Sequence, residues 1–234
     1  DAVTDLAAPL AVDLLGRLLG LELPPTRELK ALTAAMVGAI DIRRGAIPES
    51  MNEACRALEA HYERALAKGA EPGGMAALML AEVEAGHWPR EELMANLVLM
   101  SLAGQETVVD AFGNVLRLLD AAPEQRALLE REGVDWTAAA DELLRLGTSV
   151  LYAGTRIAAA DLEIEGIAIP AGSAVASVIS SAVRDSAACP WGDALRLDQP
   201  AVTVPTFGSG PHVCLGQHLA RVEMATLLEA LFTA

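Results

Sequence analysis

The sequence predicts a mainly α-helical chain with a small β portion, an α+β fold in a single domain over residues 1–234, and three observations carry this. Helical periodicity dominates residues 1–147, the texture changes over 148–206 to short β-branched runs and an irregular segment, and 207–234 is a Gly-rich loop followed by one last helix. With 234 residues, 53% of them hydrophobic, the chain can bury a sizeable core, in one large domain or two small ones.

In ESMNEACRALEAHYERALAKG, residues 49–69, Met51, Cys55, Leu58, Tyr62, Ala65 and Leu66 recur along one helix face. That stripe gives Cys55 the place of a small core hydrophobe rather than a reactive thiol. His61 beside the stripe and His87 in a Gly-His-Trp-Pro turn are assigned no role. One long helix is expected from about Pro89, at a first helical position, to about Asp120, with Pro123 just past its end. At 1.5 Å per residue it would be about 45 Å long, enough to cross a domain. LEIEGIAIPAG, residues 162–172, alternates Leu162, Ile164, Ile167 and Ile169 around Glu165-Gly166 as a short hairpin does, and AVASVISSAV adds β-branched residues after it. Residues 184–206 hold three prolines and little periodicity, a long irregular segment of the kind that usually carries function. The final helix runs from about Gln217 to Phe232.

Charge and cysteine usage narrow the function classes. The 17 Lys and Arg against 32 Asp and Glu leave a net charge of -15, a field that repels phosphate backbones and argues against nucleic acid. Three widely spaced cysteines, Cys55, Cys189 and Cys214, suit a reducing cytosol better than a disulfide-stapled secreted domain, so a cytoplasmic location is expected. The start, DAVTDLAAPLAV, lacks the basic region of a signal peptide. The longest stretches free of charge, 166–183 and 199–220, carry Pro, Gly and Ser instead of a continuous apolar run, so no membrane partner is expected. Asp1 in place of Met reads as a processed or trimmed piece of something longer.

TFGSGPHVCLGQHLA, residues 206–220, packs Gly208, Gly210 and Gly216 around Pro211, His212 and Cys214. A cysteine just ahead of a helix N-terminus has its sulfur near unpaired backbone N–H groups and the positive end of the helix dipole, both of which favour thiolate. That makes it a ligand or a nucleophile, or else the turn is merely Gly-rich and the cysteine inert. The glycines allow close approach of something flat or bulky, and Phe207 can pack beside the sulfur.

The pattern Phe207, Gly208, Gly210, His212, Cys214, Gly216 closely resembles the heme-binding signature of the cytochrome P450 superfamily. LAGQETVVD, residues 102–110, resembles the family's oxygen-activation segment, a small residue and Gly followed by an acid and Thr. Glu142 and Arg145 in DELLRLGTS are similar to the family's Glu-x-x-Arg pair, and DLAAPLAVDLLGRLLGLE, residues 5–22, to the segment entering its middle helices. The resemblance implies a P450-like fold and a bacterial-type heme-thiolate monooxygenase. Such an enzyme inserts one oxygen atom from dioxygen into a hydrophobic small molecule, with electrons from a ferredoxin/reductase-type donor.

It further implies heme b (iron protoporphyrin IX) held by Cys214 as the metal ligand. Thr206, Phe207, Gly208, Leu215, Gly216 and Ala103 would lie against the cofactor, and His212 and Arg156 would donate to its propionates. Gly104 would leave room beside the heme, Thr107 can hydrogen-bond one turn back at Ala103, and Glu106 with Thr107 would organise proton delivery. Val150, Leu151 and Tyr152 are merely apolar and fit any hydrophobic substrate.

The chain departs from the family in two respects. Near the second arginine expected in the irregular segment stand Ala194 or Leu195, with Arg196 out of step, so the Glu142–Arg145 lock is expected to be incomplete. The resemblance covers only the family's C-terminal portion, an N-terminally truncated member. Segments that close one heme edge would precede Asp1, so weak heme retention and little turnover are expected of these residues alone. Two alternatives stand beside the enzyme: a non-catalytic fragment or remnant, and a small structural zinc site formed by His212, Cys214, His218 and Cys189. Serine-hydrolase chemistry is poorly supported, because Gly208-Ser209-Gly210 lacks the nucleophile-elbow pattern.

Overall fold

A computed structural model describes residues 1–38, 46–200 and 202–233, which gather into two compact units, Asp1–Asp110 and Ala111–Ala234. The first unit is all helix. A π-helical stretch, Ala2–Ala7, capped by the Asp1 carboxylate on Val3 and Thr4 N–H, runs into α1 (Ala8–Leu19), followed by α2 (Thr26–Val37), α3 (Glu49–Lys68), α4 (Met75–Glu84) and α5 (Arg90–Ala103). The expected stripe of α3 is its core face: Ala54, Leu58, Tyr62, Ala65 and Leu66 are buried, with Met51 and Cys55 packed half-buried beside them. They meet Leu15, Leu19, Leu29, Leu93 and Leu97, each contributing about 1.5–3 kcal/mol by leaving water. α1 stops where Gly20 turns to φ 68°, and there the backbone of Gly74 comes so close that a Cβ on Gly74 would lie 2.7 Å from Gly20 Cα.

The single long helix expected from Pro89 to Asp120 is two helices. Pro89 caps α5 from outside, α5 ends at Ala103, and α6 (Glu106–Ala121) carries the chain from the first unit into the second. The apolar period continues through the break, so local sequence does not betray it. The buried Gln105 side chain, donating to Thr33 Oγ1 on α2, holds it open.

The second unit continues with α7 (Pro123–Arg126) and α8 (Trp136–Gly147), the latter capped by the Asp135 carboxylate on Thr137 and Ala138 N–H. Strands β1 (Ala153–Ile157) and β4 (Ala174–Ser177) pair antiparallel with an irregularity between Ala153 and Arg156. Strands β2 (Leu162–Ile164) and β3 (Ile167–Ile169) form the expected hairpin, turning at Glu165 (φ 51°) and Gly166 (φ 81°), the two positive angles of a tight primed turn. Its apolar side chains stay exposed, Ile164 at 52% and Ile167 at 68%. The β-branched run after it is strand only to Ser177 and then turns into α9 (Ile179–Ala182). Residues 184–200 and 202–206 form neither helix nor strand, as expected; Ala201, also in that segment, lies outside the described residues. A 3₁₀ turn, Gly210–His212, precedes α10 (Gln217–Thr233), which packs along α8.

Candidate functional site

The loop before α10 is built by backbone turns. Gly208 N–H donates to Pro205 O (2.9 Å), Val213 N–H to Gly210 O (3.1 Å) and Cys214 N–H back to Phe207 O (2.9 Å). Gly208 and Gly210 sit at φ 74° and 73°, angles that L side chains rarely adopt, so the loop needs both glycines. The result displays Cys214 in the open, whereas Cys55 is half-buried and Cys189 fully buried. Burial pushes the Cys55 thiol up, with Glu59 adding to it, which leaves Cys55 in its core role.

Around Cys214 the surface is apolar and uncrowded: Leu215 is 82% exposed, Val213 41%, and a Cβ on Gly210 or Gly216 would meet nothing within 4 Å. A soft sulfur donor on an open, apolar ledge fits a flat apolar macrocycle that carries a metal. Behind the ledge, the Arg221 guanidinium lies 4.5 Å from the Phe207 ring centroid, with Arg221 Nε donating to Asp141 Oδ1 on α8 (2.6 Å) and Nη1 to Gln217 Oε1 (3.1 Å).

Glu142 and Arg145 are no surface pair. Both are buried, and all five Arg145 N–H groups are used: Nε and Nη2 on Glu142 (2.7 and 2.8 Å), Nη1 on the carbonyls of Val183 and Gly192 (2.9 and 2.7 Å), and Nη2 on that of Ala194 (2.9 Å). Glu142 Oε1 also accepts from Trp191 Nε1 (3.1 Å) and the Arg196 N–H (3.0 Å). The lock expected to be incomplete is therefore complete. The Arg196 side chain turns away to Asp198, while its backbone, Trp191 and three carbonyls of the irregular segment do the work of a second arginine.

In the first unit, the break between α5 and α6 gathers Ala103, Gly104, Glu106 and Thr107. Thr107 Oγ1 donates to Ala103 O (3.2 Å), and the room expected at Gly104 is taken up within the first unit, since a Cβ there would lie 2.7 Å from Met100 O and 2.9 Å from Leu15 Cδ1. Glu106 Oε2 accepts from Thr33 Oγ1 (2.9 Å) and Gln105 Nε2 (3.1 Å). One turn on, burial first and the Glu106 charge second raise the Asp110 carboxyl, with Lys30 acting against them.

The sequence profile of the cytochrome P450 family matches residues 136–234, the segment holding the lock and the Cys214 loop. A Bacillus spizizenii protein, cytochrome P450 109, is 31% identical over 243 residues, covering 100% of this chain and 59% of its own length. The crystal structure of CalO2 superposes with a TM-score of 0.85 at 32% identity over 99% of this chain and 59% of that one. The chain belongs to the cytochrome P450 family. The vitamin D3 dihydroxylase of Streptomyces griseolus is 40% identical over 164 residues, 69% of this chain and 40% of that protein. The P450 chain thus spans about three-fifths, or less, of the length of these relatives.

The other expected site residues of this P450 chain are spread over its second unit. Arg156 on β1 is exposed and, among the described residues, donates to Thr155 O (3.2 Å) alone, and His212 is exposed on the 3₁₀ turn. Leu151 and Tyr152 are 58% and 60% exposed. The zinc alternative has no ligand set: among the described residues no three His, Cys, Asp or Glu side chains converge, and Cys189 is buried while Cys214 is not. No helix among the described residues is long and apolar enough to cross a membrane. Arg221 and Asp141 were not singled out by sequence; the spacing of Arg221 one turn beyond Gln217 was the available signal. Thr33 gave none, standing 73 positions from Glu106.

Proposed function

We propose that this P450 chain carries the proximal ligand and the proton-handling residues of a heme-thiolate monooxygenase acting on a hydrophobic small molecule. The observation that carries the reading is Cys214, the exposed one of the three cysteines, displayed on an open glycine ledge ahead of α10. Cys214 Sγ would hold the iron of heme b, with Thr206, Phe207, Gly208, Leu215 and Gly216 against the cofactor. His212 and Arg156 would donate charged hydrogen bonds to the propionates. When bound, the heme supplies the iron at which dioxygen is activated, and its thiolate pushes electron density toward O–O cleavage.

The chain's own part is to bind, orient and move protons. Glu106 Oε2 is anchored by two donors, which leaves Oε1 as the oxygen that takes up and releases a proton. Thr107 Oγ1, tied to Ala103 O across the break, presents a hydroxyl where a straight helix would have closed the backbone ladder. The exposed Val150, Leu151 and Tyr152 offer apolar contact to substrate without fixing its identity. A ferredoxin/reductase-type donor and a cytoplasmic location complete the reading.

Oxygen-18 labelling tests it. The heme-loaded chain is given a ferredoxin, its reductase, labelled dioxygen and apolar probes, with vitamin D3 first because a relative bears that name. One labelled atom in the product supports monooxygenation. Label entering from water, or no product from any probe in a chain with an intact thiolate-type spectrum, overturns it in favour of a non-catalytic remnant.

A further inference from the structure

Arg221 is a half-buried cation engaged on three sides. It joins α8 through Asp141 (2.6 Å), the first turn of α10 through Gln217 Oε1 (3.1 Å), and the Phe207 ring, 4.5 Å from its carbon. Phe207 in turn is the residue whose carbonyl accepts the Cys214 N–H at 2.9 Å. The chain Asp141, Arg221, Phe207, Cys214 therefore runs without a gap from the packed α8–α10 pair to the one thiol on the ledge. Among the described residues no side-chain hydrogen bond or ion pair reaches residues 206–214, so beyond this ring contact the loop's polar ties are backbone turns. Two of the loop's glycines stand at positive φ, so its backbone has more alternative conformations than an ordinary turn and needs an outside hold.

We propose that the Asp141–Arg221–Phe207 brace fixes the Cys214 backbone so that its thiolate stays in place as the heme ligand, Arg221 being a positioning residue that acts through Phe207. The proposal rests on the heme-thiolate reading for the word ligand, but not for the brace itself. The guanidinium suits the task because its planar fork can hydrogen-bond in its plane while lying flat on a ring, which an ammonium group cannot do. The charge is already spent on Asp141, so the role is geometric: holding Phe207 holds the carbonyl that orients the Cys214 amide.

Two readouts separate brace from ligand. In the heme-free chain, amide hydrogen exchange at Cys214 should rise by about tenfold or more in Arg221→Met, because the Phe207 carbonyl is released, while amides in the middle of α8 keep their protection. In the heme-loaded chain, reduced and treated with carbon monoxide, the share of heme showing the thiolate-type band should fall several-fold in Arg221→Met. It should fall less in Arg221→Lys, and stay near wild type in Asp141→Asn, whose amide oxygen can still accept from Arg221 Nε. Arg221→Lys keeps the ion pair and serves if the Met variant does not fold. Unchanged Cys214 exchange together with an unchanged thiolate share in a variant that only melts earlier overturns the proposal and makes Arg221 a stability residue. A wild-type chain with no thiolate-type band but with the exchange effect intact would overturn the ligand role while leaving the brace.

Discussion

Arg145→Met puts the buried lock under direct load. The substitution keeps an unbranched apolar stem of similar reach and removes five N–H donors from a site where Arg145 is 1% and Glu142 4% exposed. The carbonyls of Val183, Gly192 and Ala194 lose their donor, and Glu142 keeps only Trp191 Nε1 and the Arg196 N–H. Removing one partner of a buried ion pair costs about 3–5 kcal/mol, because the remaining charge is left without compensation. A loss of about 4 kcal/mol is roughly a thousandfold in the folding equilibrium constant and a large part of a typical stability of about 5–15 kcal/mol. The assay is urea unfolding followed by tryptophan fluorescence in a Trp88→Phe background, so that Trp136 and Trp191, both in the second unit, report. A loss below about 1 kcal/mol, the range of an exposed pair, would refute the reasoning. Adding Glu142→Gln to Arg145→Met should recover part of the loss, since the uncompensated charge goes with it.

Burial pushes the Glu223 carboxyl from 4.5 up to about 7. Because the unfolded chain releases that proton first, stability is full below about pH 4.5, falls as pH rises to about 7 and is flat above, by about 3 kcal/mol in all. Urea midpoints at pH 5 and pH 8 should show this slope in wild type and lose it in Glu223→Gln; equal slopes would be the failing result. Thr33→Val removes a donor to Glu106 and an acceptor for Gln105, so it should lower stability by about 1–3 kcal/mol and raise peroxide formed per product, with Thr33→Ser restoring both. No change in either quantity would count against the anchoring of Glu106. Gly104→Ala forces a Cβ to 2.7 Å from the backbone oxygen of Met100 and 2.9 Å from Leu15 Cδ1 and should destabilise by about 1–3 kcal/mol in the same unfolding assay, against a near-neutral result if the break were a free hinge.

What the sequence made legible was local. The hairpin was readable because Glu165-Gly166 and the alternation around it lie within eight residues, and the Cys214 loop because its glycines, Phe207 and His212 lie within ten. The α3 stripe was readable because one face of one helix meets the core. What could not be read was set by distant partners. The break at Gly104-Gln105 depends on Thr33, 72 positions from Gln105, while the apolar period passes through it unchanged. The lock was misjudged because the search was for an arginine side chain, whereas backbone carbonyls and a backbone N–H complete it, and any residue type supplies those. The exposure of the hairpin's Ile164 and Ile167 likewise depends on which surfaces pack against them, which a period of two does not state.

The central claim is that Cys214, and neither other cysteine, is the heme ligand. The most direct measurement is the absorption spectrum of the reduced, carbon-monoxide-treated chain at excess heme, recorded for wild type, Cys214→Ser, Cys55→Ser and Cys189→Ser. The thiolate-type band should be present in wild type and in the Cys55 and Cys189 variants and absent from Cys214→Ser. A band that survives in Cys214→Ser, or one that disappears only with Cys55 or Cys189, would contradict the account.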